Sequence, residues 1–182
     1  VSDKKTLINL TNHNYFNLGG HKSGTIENTK VRIYADEFTP INEDTIPTGE
    51  IRKVEHTPMD FREWKKIKND LYAEDEQLEK GKGYDHNFVI RNKDCGFRKM
   101  AEALDEEQGI KMEVYSDLPG LQFYTGNTMK STKGKGGVIY GKGCGFCMEP
   151  HSINTKEFDA PVFDAGEVYQ TVTMYQFVTK ED

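Results

Sequence analysis

One histidine near the start of the chain has the surroundings that proton transfer requires. Residues 9–20 read Asn-Leu-Thr-Asn-His-Asn-Tyr-Phe-Asn-Leu-Gly-Gly, so His13 lies among asparagines and just before Tyr15 and Phe16. An imidazole titrates near neutral pH, and neighbouring amides can fix its orientation by hydrogen bonding. The residue types therefore make His13 a candidate acid or base. The pattern around it is typical of a strand pair, which indicates a chain that begins partway through a fold.

Three further polar residues lie in apolar or aromatic stretches. Asp85, Gln122 and Glu149 each have aromatic residues close by in the sequence. A single polar residue of this kind is usually a hydrogen-bonded part of the core. Four such positions, counting His13, favour a sugar pocket instead, because a pyranose has apolar faces and a rim of hydroxyls. The aromatic residues expected beside that pocket are Tyr15, Phe16, Tyr84, Phe88, Phe123, Tyr124 and Phe146.

The elements that must position these residues are predicted to be strands. Residues 30–35 place Val31 and Ile33 on one face, and residues 111–116 place Met112 and Val114 on one face. Residues 168–178 carry large side chains on both faces, which is expected of a strand packed within two layers. Glycine and proline turn signals separate the runs. We expect an all-β fold, with residues 1–182 forming a single domain.

One interval departs from the strand pattern. In residues 63–83, Trp64, Ile67, Leu71 and Leu78 recur at helix-like spacing among many charged residues. This spacing predicts a short helical insertion near residues 63–80. The charge density favours a solvated face that bridges two strands.

Composition excludes several classes of partner. The chain has 182 residues with 24 Lys and Arg against 30 Asp and Glu, a net charge of -6 that argues against a nucleic-acid partner. Mean hydropathy is -0.76, and no apolar run approaches the roughly 18 residues that a membrane span needs. The first residues lack both Met and a signal-peptide core. Three cysteines at uneven spacing fit a reducing compartment, so we expect a cytoplasmic location.

Two short motifs resemble other kinds of site. Cys144 and Cys147 have the spacing of a redox or zinc motif, but the only further ligands are His151 and the distant Cys95. We expect two buried or half-buried cysteines in a strand, and no metal. Residues 136–142 read Gly-x-x-x-x-Gly-Lys, yet Gly143 replaces the hydroxyl residue of a nucleotide-binding loop. This segment is better interpreted as a β-loop.

Taken in order, the motifs resemble those of the aldose 1-epimerase (galactose mutarotase) family. The likeness runs from end to end and covers the C-terminal half or somewhat more of the family's length. Several ordered blocks are more specific than any one of them, and they lie at residues 9–18, 35–42, 46–51, 57–62, 83–88, 119–127 and 145–149.

The resemblance implies a fold, an activity and residue roles. The fold is a large β-sandwich of mostly antiparallel strands, the galactose mutarotase-like supersandwich, here in part. The activity is interconversion of the α and β anomers of hexoses such as galactose and glucose, without metal or organic cofactor. His13 matches the general acid and Glu149 the general base, while Asp85 and Gln122 match sugar-binding positions. A carboxylate is needed to keep a proton on His13, and Asp85 is the candidate.

The resemblance also predicts what this chain lacks. The family's first half, with a further sugar-contacting histidine and an arginine, has no counterpart here, and residues 150–154 depart from the family pattern. A sandwich cut near its middle exposes strand edges and apolar faces. We therefore expect self-association or a missing N-terminal companion segment. The alternative function is a non-catalytic carbohydrate-binding module that keeps the pocket without turnover.

Overall fold

Two five-stranded antiparallel sheets form most of the molecule. The computed structural model describes residues 1–92, 96–153 and 160–179. There is one α-helix, α1 (Glu76–Gly81), with 3-10 turns at Ile67–Asn69 and Lys135–Gly137 in these ranges. The strands are β1 (Thr6–Leu7), β2 (Lys30–Ile33), β3 (Ala35–Thr39), β4 (Arg52–Lys53), β5 (Lys65–Lys66), β6 (Asp85–Ile90), β7 (Arg98–Asp105), β8 (Ile110–Ser116), β9 (Gly120–Tyr124), β10 (Thr132–Lys133), β11 (Ile139–Tyr140), β12 (Cys147–His151), β13 (Val162–Phe163) and β14 (Thr173–Thr179).

The strand order defines two layers. The front sheet runs β12-β9-β6-β3-β4 and the back sheet runs β14-β8-β7-β2-β5, while β1 with β13 and β10 with β11 form small ribbons. The predicted all-β sandwich is confirmed. No helix within the described ranges is long and apolar enough to cross a membrane.

The core lies between the two sheets. Strand alternation sends Phe88 and Phe123 inward from the front sheet, and Val31, Met112 and Val114 inward from the back sheet, and all five are buried in one cluster. Each fully buried side chain of this size contributes on the order of 1.5–3 kcal/mol. The alternation predicted for residues 30–35 and 111–116 thus positions the core.

A single residue connects the layers. The strand predicted over residues 30–35 divides at Tyr34, where the chain leaves β2 in the back sheet and enters β3 in the front sheet. The Tyr34 N–H donates to the Met100 carbonyl at 2.9 Å, and its carbonyl accepts from the Arg91 N–H at 2.9 Å. Both backbone groups are therefore paired across the change of sheet.

The predicted helical insertion is present but short. Asp75 caps α1 by accepting hydrogen bonds from the N–H groups of Gln77 (2.9 Å) and Leu78 (3.2 Å), and Lys82 ends the helix in the left-handed region. Ile67 and Leu78 are buried, so the insertion also packs on the core. The periodicity did not reveal β5, which pairs with β2.

The C-terminal strand differs from its predicted packing. It spans only Thr173–Thr179, and it is the outermost strand of the back sheet, paired with β8. Met174, Phe177 and Val178 are exposed. The expectation of burial on both faces was wrong, because large side chains on an edge strand produce the same sequence pattern as a buried strand.

Candidate active site

The front sheet gathers polar residues from three strands on its outer face. Glu149 of β12 lies directly opposite Gln122 of β9, and Gln122 lies opposite Asn87 of β6. Asp85 is two residues before Asn87, so alternation places it on the same face. The register thus brings together three of the four polar residues singled out in the sequence.

His13 reaches this face on a segment that runs beside β12. Near one end of the segment, the Asn9 side-chain amide donates to the Ser152 carbonyl (3.0 Å) and accepts from its N–H (2.9 Å). At the other end, Phe16 and Phe146 exchange backbone hydrogen bonds of 2.7 and 2.9 Å. Between these two anchors, His13 Nε2 lies 3.7 Å from Glu149 Oε1. The fourth polar residue therefore joins the other three.

The two members of this pair differ in their exposure. The Glu149 side chain is 9% exposed, whereas the His13 side chain is 54% exposed. Burial raises the pKa of Glu149, the proximity of His13 opposes this shift, and the charge of Asp85 adds to it. A carboxylate whose pKa is raised accepts a proton more readily, so its surroundings suit Glu149 to the role of a base.

Asp85 is held by Gln122 rather than by His13. The Gln122 Nε2 group donates to Asp85 Oδ1 at 2.7 Å. Burial raises the pKa of Asp85, while this hydrogen bond and the nearby His13 lower it. The expectation that Asp85 keeps a proton on His13 stays a prediction: the two groups interact electrostatically, and the ion-pair contact of His13 is with Glu149.

Only some of the predicted aromatic residues line the site. The Tyr15 and Tyr124 rings lie 5.1 and 6.2 Å from the His13 ring, with the two tyrosines 6.2 Å apart. The other five pack in or against the core, which corrects the expectation for them: Phe16, Tyr84, Phe88, Phe123 and Phe146. The physical reason is strand alternation, which turns Phe123 away from the face that its neighbours Gln122 and Tyr124 share.

Cys147 also belongs to the candidate site, although no motif indicated it. The Sγ atom of Cys147 lies 3.4 Å from His13 Nδ1, whereas Glu149 lies near Nε2 of the same ring. Burial raises the pKa of this thiol, and the charges of Glu149 and Asp85 raise it further. The spacing of Cys147 and Glu149, two residues apart on one strand, was the available signal. Cys144 lies in the turn before β12, and Cys95 falls outside the described residues.

Sequence comparison identifies the class of protein that this fold and face define. The family model described as aldose 1-epimerase matches residues 1–176, so the chain belongs to the aldose 1-epimerase family. Galactose mutarotase of Homo sapiens is 38% identical over an aligned length of 182 positions, which covers 97% of this chain and 51% of that protein. Aldose 1-epimerase of Escherichia coli K12 is 37% identical over 184 aligned positions, which cover 98% of this chain and 53% of that protein. The chain thus spans about half the length of these relatives.

Solved structures agree with the sequence relatives. The GalM/aldose epimerase homologue from C. elegans matches with a TM-score of 0.83 and 27% identity, over 97% of this chain and 53% of that one. Galactose 1-epimerase from Lactobacillus acidophilus matches with a TM-score of 0.79 and 25% identity, and the match covers 100% of this chain and 52% of that chain. The fold of this chain therefore corresponds to about half of each of these two structures.

Proposed function

We propose that this chain carries the proton-transfer half of an aldose 1-epimerase site and interconverts the α and β anomers of hexoses such as galactose and glucose. The observation that carries the proposal is the 3.7 Å separation of His13 Nε2 and Glu149 Oε1 on one polar face. The two reacting oxygens of a cyclic sugar, the ring oxygen and the anomeric hydroxyl, are bonded to one carbon. An acid and a base that serve them must therefore lie close together.

In the proposed reaction, His13 and Glu149 act in concert. Glu149 removes the proton of the anomeric hydroxyl while His13 protonates the ring oxygen, and the bond between that oxygen and C1 breaks to give an open-chain aldehyde. Rotation about the C1–C2 bond presents the other face of the aldehyde. Reclosure then reverses both proton transfers and restores the acid and the base. No metal or organic cofactor takes part in this scheme.

The neighbouring groups supply sugar binding. Gln122 and Asp85 form a hydrogen-bonded pair at 2.7 Å that presents a donor and an acceptor to hydroxyl groups. Tyr15 and Tyr124 present aromatic surface beside His13. Together they provide the apolar and polar contacts that a pyranose requires.

Polarimetry tests the catalytic proposal. Fresh α-galactose should lose its initial optical rotation faster in the presence of the chain, and Glu149→Gln should reduce the catalysed rate on the order of 10²-fold or more. Glu107→Gln, which changes an exposed glutamate in a turn, is the matched control and should leave the rate unaltered. A Glu149→Gln variant with the full rate would contradict the assigned base. Binding of sugar without a faster change in rotation would favour the carbohydrate-binding module.

The exposed strand β14 supports a second part of the proposal, which concerns assembly. Its apolar side chains, including Phe177 at 54% exposure, lie on the outermost strand of the back sheet. Because the chain spans about half the length of its relatives, we infer that a companion segment or a second copy covers this strand.

Light scattering tests the assembly. The chain alone should self-associate, and Phe177→Glu should weaken that association. Ile139→Glu, at a comparably exposed apolar residue on β11, should not. A monodisperse monomer at micromolar concentration would count against the inference.

The proposal also includes a reducing, cytoplasmic location, which the free thiols of Cys144 and Cys147 support.

A further inference from the structure

Three side chains at the candidate site have the chemistry of a zinc-binding set. A ligand atom from each of His13, Cys147 and Glu149 lies within 4.8 Å of the other two. Imidazole nitrogen, thiolate sulfur and carboxylate oxygen are the donors that Zn²⁺ takes in proteins. Three protein ligands with a fourth position left for water is the arrangement of an open zinc site.

We propose that His13, Cys147 and Glu149 bind a single Zn²⁺ ion, which acts as an inhibitor of the site rather than as a cofactor. In a tetrahedral zinc site, the ligand atoms lie about 3.3–3.7 Å from one another, as follows from metal–ligand bonds of about 2.0–2.3 Å. The three ligand atoms therefore have to approach one another by about 1.5 Å at most.

The structure permits this contraction. Cys147 and Glu149 are two residues apart on β12, so both project from the same face of one strand and need little movement. His13 lies outside regular structure, between the Asn9–Ser152 and Phe16–Phe146 anchors, and its side chain is 54% exposed. The imidazole can therefore reorient without disturbing the core. Either of its nitrogens is available, because Nδ1 lies near Cys147 and Nε2 near Glu149.

Binding involves no redox chemistry. The Cys147 thiol loses its proton to solvent, and the thiolate, the neutral imidazole and the carboxylate each donate a lone pair to the ion. Mg²⁺ and Ca²⁺, which favour all-oxygen ligands, should not compete.

Zinc at this position would remove both proton-transfer groups from the reaction. His13 and Glu149 are the acid and the base of the proposed function, and neither is free to act while coordinated. The inhibitory effect therefore rests on the proposed function. The binding site itself rests only on the contacts among the three side chains.

Direct titration tests the site without measuring turnover. The 182-residue chain is titrated with Zn²⁺ by calorimetry, and with Co²⁺ by absorption spectroscopy, in which a thiolate-to-metal band reports sulfur ligation. We expect one ion per chain. Cys147→Ser should lose the band. It should also weaken Zn²⁺ binding by at least about 10–100-fold, because changing a residue that only contacts a metal ligand already costs that much affinity. Cys144→Ser, which changes a thiol outside the cluster, is the matched control and should retain both.

A second variant separates loss of the ligand from loss of the fold. His13→Ala changes an exposed residue outside the core, so it should fold normally and still bind zinc more weakly. Unaltered affinity in both Cys147→Ser and His13→Ala would overturn the site, as would a thiolate band that disappears in Cys144→Ser instead. If zinc binds as expected but the chain has no mutarotation to inhibit, the proposed function fails while the metal site stands.

Discussion

The buried His86 should make the stability of this chain depend strongly on pH. His86 is fully buried on the inner side of β6, in edge contact with Phe38 at a ring separation of 6.0 Å. Its Nδ1 accepts a hydrogen bond from the Asp85 N–H at 3.1 Å, and Nε2 has no partner among the described residues. Burial lowers the pKa of His86 to about 4. The folded protein therefore resists protonation of this ring.

The sign and size of the effect follow from proton linkage. In the unfolded chain the histidine pKa is about 6.5, so between about pH 6.5 and 4 the unfolded state binds a proton that the folded state does not. The stabilisation is fully present above pH 6.5 and is lost as the pH falls toward 4. It is worth about 3 kcal/mol over the whole window and about 2 kcal/mol between pH 8 and pH 5.

Urea unfolding followed by the fluorescence of Trp64 measures this loss. His86→Asn keeps an acceptor for the Asp85 N–H and removes the titration, so its free energy of unfolding should fall by about 2 kcal/mol less than that of the wild type between pH 8 and 5. His56→Asn, at an exposed histidine with a φ of 61°, is the control and should behave as the wild type. Identical pH dependence in the wild type and His86→Asn would refute the reasoning.

Two further predictions concern the site and the back sheet. Gln122→Leu removes the donor to Asp85 and should weaken galactose binding about tenfold, the value of one or two hydrogen bonds; calorimetry with an unchanged Kd would exclude a sugar-binding role. Lys99 Nζ lies 3.3 Å from Glu102 and 2.9 Å from Glu113, two glutamates that lie directly opposite each other in β7 and β8. Because Lys111 still contacts both glutamates and Lys99 is partly exposed, Lys99→Met should cost about 1 kcal/mol of unfolding free energy at neutral pH. Lys111 and Lys99 lower the pKa of Glu113 to about 2, so the loss of stability should shrink as the pH falls toward that value and Glu113 becomes protonated. Lys53→Met, at an exposed strand position, is the control.

Strand periodicity predicted the core well but the limits of the strands poorly. The alternation of Val31, Ile33, Met112 and Val114 is a local property of the chain, so it could be seen without the fold. The change of sheet at Tyr34 could not be predicted in this way, because the alternating pattern of residues 30–35 continues through Tyr34 without a break. The exposure of β14 depends on what lies beside its outer edge, and that information is not local to its sequence.

The sequence indicated residues that lie together in the structure, but it did not indicate their contacts. His13, Asp85, Gln122 and Glu149 were found from residue type and motif likeness, and the structure places all four on one face. Which carboxylate contacts His13 is decided by the register of β12 against the segment from Asn9 to Phe16, which no local pattern encodes. Cys147 lies on the same face as Glu149 because the two residues are two positions apart on one strand. The motif likeness did not point to Cys147.

The clamped segment that carries His13 also has a consequence for how the molecule forms. His13 and Cys147 are separated by 134 positions, and Asn9 and Ser152 by 143. Contacts over such separations carry a large loop-closure entropy, and chains rich in them fold slowly. The front-sheet strands β6, β9 and β12 all lie within residues 85–151, so they are closer to one another in sequence than to the segment that carries His13, and they can pair before that segment docks. We therefore expect the segment to dock late, so His13 would meet Glu149 only after β12 has been synthesised and has joined the front sheet.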